Sequence, residues 1–284
     1  MSVLQRYSMR ELRVNDFSLQ DTIECGQTFC WTRLDDGYVN AEVGLAVYVE
    51  QEGNKLRYES SGGRVDLRDL IRLDDPVKDI KQEICRDGLL EEAIAFAPGL
   101  RIVSDGLYPC LVSFLCSVWK NIPAIEKLIQ GLRENYGPSY MIRGHEVRGL
   151  PTPEQLAGAT ELDLRALGMG WRAAFIVKST EAILAGDLEE ESLQQMSYQE
   201  AHAALKELHG VGDKVADCVC LFSLGFLEAF PIDVWIERAI QDHYDVFTQS
   251  GKSYKAKAQA ARAYFGQYAG YAQEYIYHYL RNCR

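Results

Sequence analysis

The sequence predicts an α+β protein: an N-terminal antiparallel β-sheet domain over residues 1–98, then an all-α body over residues 99–284. Three observations carry that prediction. The first 85 residues alternate apolar and polar side chains between turn-forming pairs. From Asp74 onward the apolar residues recur at helical spacing. Near residue 210 two helical segments meet at a short turn holding two glycines.

The N-terminal strands are read from Phe29 and Trp31, which alternate with polar neighbours, and from Tyr38–Gln51 and Lys55–Ser60. Turns at Asp35-Asp36-Gly37 and Glu52-Gly53-Asn54 break them, and short strands so joined pair antiparallel. Helices are expected over Pro76–Ile84, Gly88–Ala97 and the strongly apolar stretch from Pro109 to Val118. Another runs from about Ile122 to Tyr136, where Gly137-Pro138 stops it. Thr152, with Gln155 three positions on, spells a capping box. Lys178–Leu184 continues a helix, and residues 186–191 read as an acidic surface turn. Ser197 can cap a helix running to about Leu208, and a second runs from about Asp213 to Leu224. The last segments are Tyr254–Tyr268 and Tyr271–Leu280.

Composition sets the outer bounds. With 284 residues, 47% of them apolar, the chain can bury a sizeable core in one large or two modest domains. No run of eighteen apolar residues occurs, so no membrane partner is expected. Met1 to Tyr7 lack a signal-peptide core. The expected location is therefore the cytoplasm (nucleoid) of a prokaryote or the nucleus of a eukaryote, and a monomer is expected. The eight cysteines form no Cys-x-x-Cys pair, which argues against a metal site of the usual spacing and for free buried thiols. A net charge of −11 argues against coating a polyanion by bulk electrostatics. It leaves room for a focused contact. From Val246 onward six basic residues face one acidic residue, Glu274. That segment is either a solvated face or part of a polyanion-binding surface.

The turn Leu208-His209-Gly210-Val211-Gly212 comes just before Asp213-Lys214. Glycine suits a backbone that takes φ > 0 or approaches a ligand closely. Amides of such a turn, beside a helix N-terminus, form a seat for phosphate. Lys214 starts the second helix, and Pro231-Ile232-Asp233 follows beyond it. Asp233 can also cap the next helix. A Gly-x-Gly turn between helices is common and weak evidence alone; the lysine at this offset and the later Pro-Ile-Asp sharpen it.

This pattern resembles the helix-hairpin-helix DNA glycosylases, with Lys214 and Asp233 similar to the catalytic pair of the bifunctional members. The run Gly26-Gln27-Thr28-Phe29-Cys30-Trp31 is similar to one near the N-terminus of the 8-oxoguanine DNA glycosylases. The resemblance implies that the Gly26 carbonyl faces the base pocket. Guanine has a bare N7 acceptor there, whereas 8-oxoguanine has an N7–H donor. A misplaced contact of that kind costs about 1–3 kcal/mol. Gln273 and Tyr277, four apart on one helix face, match the residues that read and stack on the flipped purine. Cys218, four after Lys214, matches the residue covering its other face. Each alone also reads as an ordinary surface glutamine, core tyrosine or small core thiol. Trp171 stands where the family carries a duplex-opening wedge, with Arg172 after it as a candidate phosphate contact; a core tryptophan is the other reading. Gly210, Val211 and Gly212 would grip the DNA backbone.

The junction Ser117-Val118-Trp119-Lys120-Asn121 departs from the family. Aligned on Asn121-Ile122, Trp119 falls where eukaryotic members place a gap-filling asparagine, and Ala124 where they place a cytosine-reading arginine. Trp119 is either a half-buried helix-end aromatic or a DNA contact. Trp235 replaces a phosphate-binding histidine of some relatives.

The function so implied is base-excision repair. A bifunctional enzyme flips out 8-oxoguanine from double-stranded DNA, removes it through a lysine Schiff base and cleaves the abasic site by β-elimination. A lysine is nucleophilic only when neutral, and burial and a helix N-terminus both disfavour the ammonium. The chemistry needs no metal or redox cofactor. Two other readings stand beside it: a monofunctional alkylpurine DNA glycosylase, whose kind generally lacks the lysine, and a non-catalytic helix-hairpin-helix DNA-binding module.

Overall fold

Two-residue turns at Asp35-Asp36 and Gly53-Asn54 fold the N-terminal strands back on one another, with Asp35 and Gly53 both at positive φ. The computed structural model describes residues 9–283; the Met1–Tyr7 segment read above for a signal sequence and Arg284 of the basic segment lie outside the described residues. The elements are β1 (Arg10–Arg13), α1 (Leu19–Glu24), β2 (Trp31–Leu34), β3 (Gly37–Asn40), β4 (Val47–Glu52) and β5 (Lys55–Ser60). The five strands form one antiparallel sheet in the order β1-β5-β4-β3-β2. Alternation decides its two faces. Tyr38, Val47 and Val49 enter the main core, while Val39 and Tyr48 enter a small cluster on the opposite face.

The helical part comprises α2 (Leu67–Leu70), α3 (Val77–Ile84), α4 (Gly88–Phe96), α5 (Leu107–Ser117) and α6 (Ile122–Tyr136). After the hairpin β6 (Ser139–Ile142) and β7 (His145–Arg148) come α7 (Pro153–Leu156), α8 (Glu161–Ala166), α9 (Arg172–Leu184) and α10 (Glu190–Gln194). The series ends with α11 (Tyr198–Lys206), α12 (Asp213–Phe222), α13 (Val234–His243), α14 (Asp245–Gln249), α15 (Tyr254–Phe265) and α16 (Ala269–Cys283). None of the described helices is long and apolar enough to cross a membrane.

Helix α5 is the centre of the body, with only Pro109 and Ser117 outside the buried set. It packs on α6, α9 and α12. Helix α16 lies against α4 and α13, which brings the last turns of the chain back to its first helices. One hydrophobic cluster runs from Val14 to Leu280.

Four local expectations need correction. The stretch Tyr38–Gln51 is two strands, β3 and β4, separated by residues 41–46. Helix α1 interrupts the strand region, started by Ser18 accepting from the Asp21 N–H at 3.2 Å. The acidic stretch 186–191 already begins α10, because Leu188 and Leu193 are drawn into the core. Six of the eight cysteines are buried thiols, but Cys85 and Cys283 are exposed.

Candidate active site

The hairpin is built from both ends. Ser197 accepts from the Glu200 N–H and Glu200 reaches back to the Ser197 N–H, so α11 starts with a capping box. The Val211 N–H closes the turn on the Leu208 carbonyl at 3.1 Å. The two glycines differ in their reasons. Gly210 has φ +89°, and a Cβ there would lie 2.2 Å from the Phe175 ring. Gly212 has an ordinary φ of −94° with open space beside it. Neither its φ nor its surroundings calls for a glycine at 212. As N-cap of α12 it offers no side chain to the first-turn amides, which stay open to an anion.

Lys214 lies in that first turn, half-buried. Its Nζ donates to Ser117 Oγ at 3.2 Å and sits 4.8 Å from the centre of the Phe114 ring. The Ser117 hydroxyl spends its own proton on the Phe114 carbonyl at 2.7 Å, so its lone pairs face the amine. Asp233 caps α13, accepting from the Trp235 and Ile236 N–H groups at 2.9 Å each. Burial raises its carboxyl above the ordinary value; the capping amides and the charge of Lys214 pull it back. Cys218 is buried one turn beyond Lys214, and burial pushes its thiol up to about 12, which keeps it neutral.

Helix α16 supplies the facing wall. Gln273 is 4% exposed, and its carboxamide oxygen has no hydrogen-bond partner. An unpaired buried acceptor costs about 1–3 kcal/mol, which a donor on a ligand would recover. Tyr277 is half-buried one turn later. Gly26, at φ +106°, comes so close that a Cβ would lie 3.0 Å from the Tyr277 ring. The loop holding Gly26 is pinned through Gln27. That side chain donates to the Thr22 and Arg101 carbonyls at 2.7 Å each and accepts from the Val103 N–H at 3.0 Å. The charge of Asp233 acts on Cys218, Glu274 and Tyr277 alike, so these groups share one neighbourhood. A cavity of about 680 Å³ is lined by Gly26 together with Glu24, Phe29, Arg133 and Arg281; Lys214 is not on its wall.

Around this cluster the structure presents two tryptophans to solvent. Trp119 is 91% exposed at φ +56°, and Trp171 is 45% exposed. Neither is a core residue. A left-handed backbone at a non-glycine residue is costly and gathers at functional places. The Trp171 ring meets Phe175 at 5.1 Å, and Phe175 meets His209 at 5.0 Å. Asn121 is exposed and caps α6 through the Ala124 N–H. Arg172 does not stand ready for a phosphate. It is buried, its guanidinium donates to the Val118 carbonyl, and it stacks on the Trp171 ring at 4.3 Å. The basic segment is also partly turned inward: Lys257 pairs with Glu237, Arg262 stacks on Tyr198, and Arg281 donates to the Glu24 and Cys25 carbonyls.

Sequence reasoning missed Phe114, Ser117 and Arg281. For Arg281 a signal existed, since Gln273, Tyr277 and Arg281 recur every four residues along one helical face. For Ser117 and Phe114 the contact with Lys214 is tertiary and leaves no local trace.

Residues 10–111 match the family model described as 8-oxoguanine DNA glycosylase, N-terminal domain. The chain is 28% identical to a probable N-glycosylase/DNA lyase of Methanothermobacter thermautotrophicus, over 94% of this chain and 95% of that one. It is 26% identical to the N-glycosylase/DNA lyase of Saccharomyces cerevisiae, over 84% of this chain and 72% of the relative. Its fold is similar to that of the Clostridium acetobutylicum 8-oxoguanine glycosylase/lyase solved with double-stranded DNA containing cytosine opposite 8-oxoguanine. That match has a TM-score of 0.88 and 29% identity, and covers 97% of this chain and 98% of that one. An antiparallel sheet followed by a helical body around a glycine hairpin defines the class: helix-hairpin-helix DNA glycosylases. Within that class, the chain is similar to the 8-oxoguanine DNA glycosylases, by its N-terminal match and by relatives that span nearly its whole length.

Proposed function

We propose that the protein is a bifunctional N-glycosylase/DNA lyase that removes 8-oxoguanine from double-stranded DNA and cleaves the abasic site left behind. The observation that carries this reading is Lys214: a half-buried amine at the open N-terminus of α12, held by Ser117 and Phe114, beside Asp233 and Cys218. The open first-turn amides and Gly212 seat a backbone phosphate. The extruded purine enters between Cys218 and Tyr277. The Gln273 oxygen takes a donor from its Watson–Crick edge, and the Gly26 carbonyl accepts the N7–H that only the oxidised base has.

The chemistry follows in order. The Lys214 Nζ lone pair attacks the sugar C1′, the glycosidic electron pair leaves with the base, and the proton the amine gives up passes to that base. The ring opens to a Schiff base between Nζ and C1′. Loss of a C2′ proton then expels the 3′ phosphate by β-elimination. Asp233 stabilises the cationic sugar as the base departs. No step uses a metal or a redox group. The working form is a monomer.

The test is borohydride trapping with duplex DNA carrying 8-oxoguanine. The expected result is a covalent adduct that is lost in Lys214→Gln. A wild-type protein that excises the base yet forms no adduct would sink the lyase reading, and one that ignores the lesion would sink the substrate.

A further inference from the structure

Arg281 belongs to α16, one turn after Tyr277 and two turns after Gln273, so all three project from one face. Its guanidinium reaches across to the N-terminal loop. Nη1 donates to the Cys25 carbonyl at 2.8 Å and Nη2 to the Glu24 carbonyl at 3.1 Å. Between them these bonds hold the two peptide units just before Gly26. The same guanidinium lies 5.8 Å from the centre of the Tyr277 ring. At Gly26 a Cβ would meet Arg281 Nη1 at 2.3 Å, so the missing side chain is what admits the arginine.

We propose that Arg281 is a positioning residue for lesion recognition, setting the Gly26 carbonyl against the Gln273–Tyr277 face. This rests on the reading of Gly26, Gln273 and Tyr277 as the base pocket. A loop and a helix that read opposite edges of one base need a fixed separation. Gln27 pins the far side of Gly26 to residues 22, 101 and 103, whereas Arg281 ties its near side to α16, on which Glu274 also meets Cys25 and His278 meets Asp21. The bidentate grip also explains the residue type. A planar fork meets two successive carbonyls, whereas an ammonium meets one of them well. A displacement of about 1 Å in such a site costs about a hundredfold in rate. The carbonyl contact is the one that separates 8-oxoguanine from guanine, so the loss falls on base excision and not on DNA binding.

The experiment compares two reactions of the same protein. Excision of 8-oxoguanine needs the base pocket; cleavage of duplex DNA at a preformed abasic site needs Lys214 but no base. In Arg281→Ala, excision should fall by about tenfold to a hundredfold. Abasic-site cleavage and its borohydride adduct should stay within about twofold of wild type. Arg281→Lys, which keeps the charge and one carbonyl contact, should recover part of the excision rate. A parallel fall in both reactions would reduce Arg281 to a general structural role. Unchanged excision in Arg281→Ala would overturn the proposal outright. Neither outcome touches the wild-type trapping result, which tests the activity itself.

Discussion

Arg172 holds the carbonyl of Val118, the residue immediately before Trp119, while its guanidinium sits over the Trp171 ring, 4.3 Å from its centre. One buried side chain thus ties the two exposed indoles together. Two turns from different parts of the chain meet on it. In Arg172→Ala both indoles lose their anchor, and excision should fall about tenfold to a hundredfold. A 2-aminopurine placed beside the lesion reports unstacking, and its fluorescence rise on binding should shrink in parallel. A variant with a normal rise would show that the tryptophans stand without Arg172.

Trp119 carries no group able to read a base edge in two places, and Ala124 supplies none. Stacking is indifferent to base identity. Excision opposite cytosine, adenine, guanine and thymine should therefore differ little in wild type. Trp119→Ala should slow all four by a similar factor. A hundredfold preference for cytosine would show that another residue reads the orphaned base.

The two hairpin glycines predict opposite outcomes. Gly210→Ala forces a side chain into φ +89° and into the Phe175 ring, so unfolding free energy should drop by about 2 kcal/mol or more. Gly212→Ala meets open space at an ordinary φ and should change stability by no more than about 0.5 kcal/mol. It crowds the surface proposed to seat the phosphate, so DNA affinity should fall. Thermal melts and a binding titration at fixed salt separate the two.

Asp233 caps α13 and is proposed to stabilise the cationic sugar, and substitution can divide the two roles. Asparagine keeps an oxygen for the Trp235 and Ile236 N–H groups but removes the charge. Asp233→Asn should melt close to wild type while excision falls about a hundredfold. Asp233→Ala should lose the activity and about 1 kcal/mol of stability as well. Equal melting of all three proteins would mean that the cap carries no weight.

Glu274 is 1% exposed, and burial pushes its carboxyl up to about 7, against the pull of Cys25, His278 and Arg281. A raised folded-state value means that the native protein holds this proton more tightly than the unfolded chain. The stabilising contribution is complete below about pH 4.5 and is lost as pH rises through about 7. Asp105 is pushed to about 7 by burial and acts in the same direction. Wild type should lose a few kcal/mol between pH 5 and pH 8 from the two groups, in the order-of-magnitude sense of about 1.4 kcal/mol per pKa unit. Glu274→Gln should flatten part of that fall. An unaltered pH profile of denaturant midpoints in that variant would assign the effect elsewhere.

Much of the fold was legible because its signals are local. The cap at Ser197 and the capping box at Thr152 lie within four residues, and the hairpin glycines sit between two periodic helices. Gln273 and Tyr277 share a face by spacing alone. The hairpin β6–β7 was not read, because its turn uses Arg143 at φ +52° before Gly144, where asparagine or aspartate is the usual cue. The site was legible in its pattern but not in its supports. Ser117 meets Lys214 across 97 positions, Arg172 meets Val118 across 54, and Arg281 meets Cys25 across 256. An arginine after a wedge tryptophan reads as a surface cation until the fold places a carbonyl beneath it. The same holds for the basic C-terminal segment, where aromatic rings, carboxylates and carbonyls across the fold draw Lys257, Arg262 and Arg281 inward.

The ring series Trp171–Phe175–His209 gives the protein a fixed gauge. It joins the indole proposed to part the bases to the turn proposed to seat the backbone, and Gly210 lets the two close to contact. With the DNA placed as proposed, a straight duplex fits poorly across a span that does not stretch. The cost of bending falls on the nucleic acid, and it is smallest where the helix is already soft. Flexibility around a lesion would then govern how fast the lesion is found, before any atom of the base has been read.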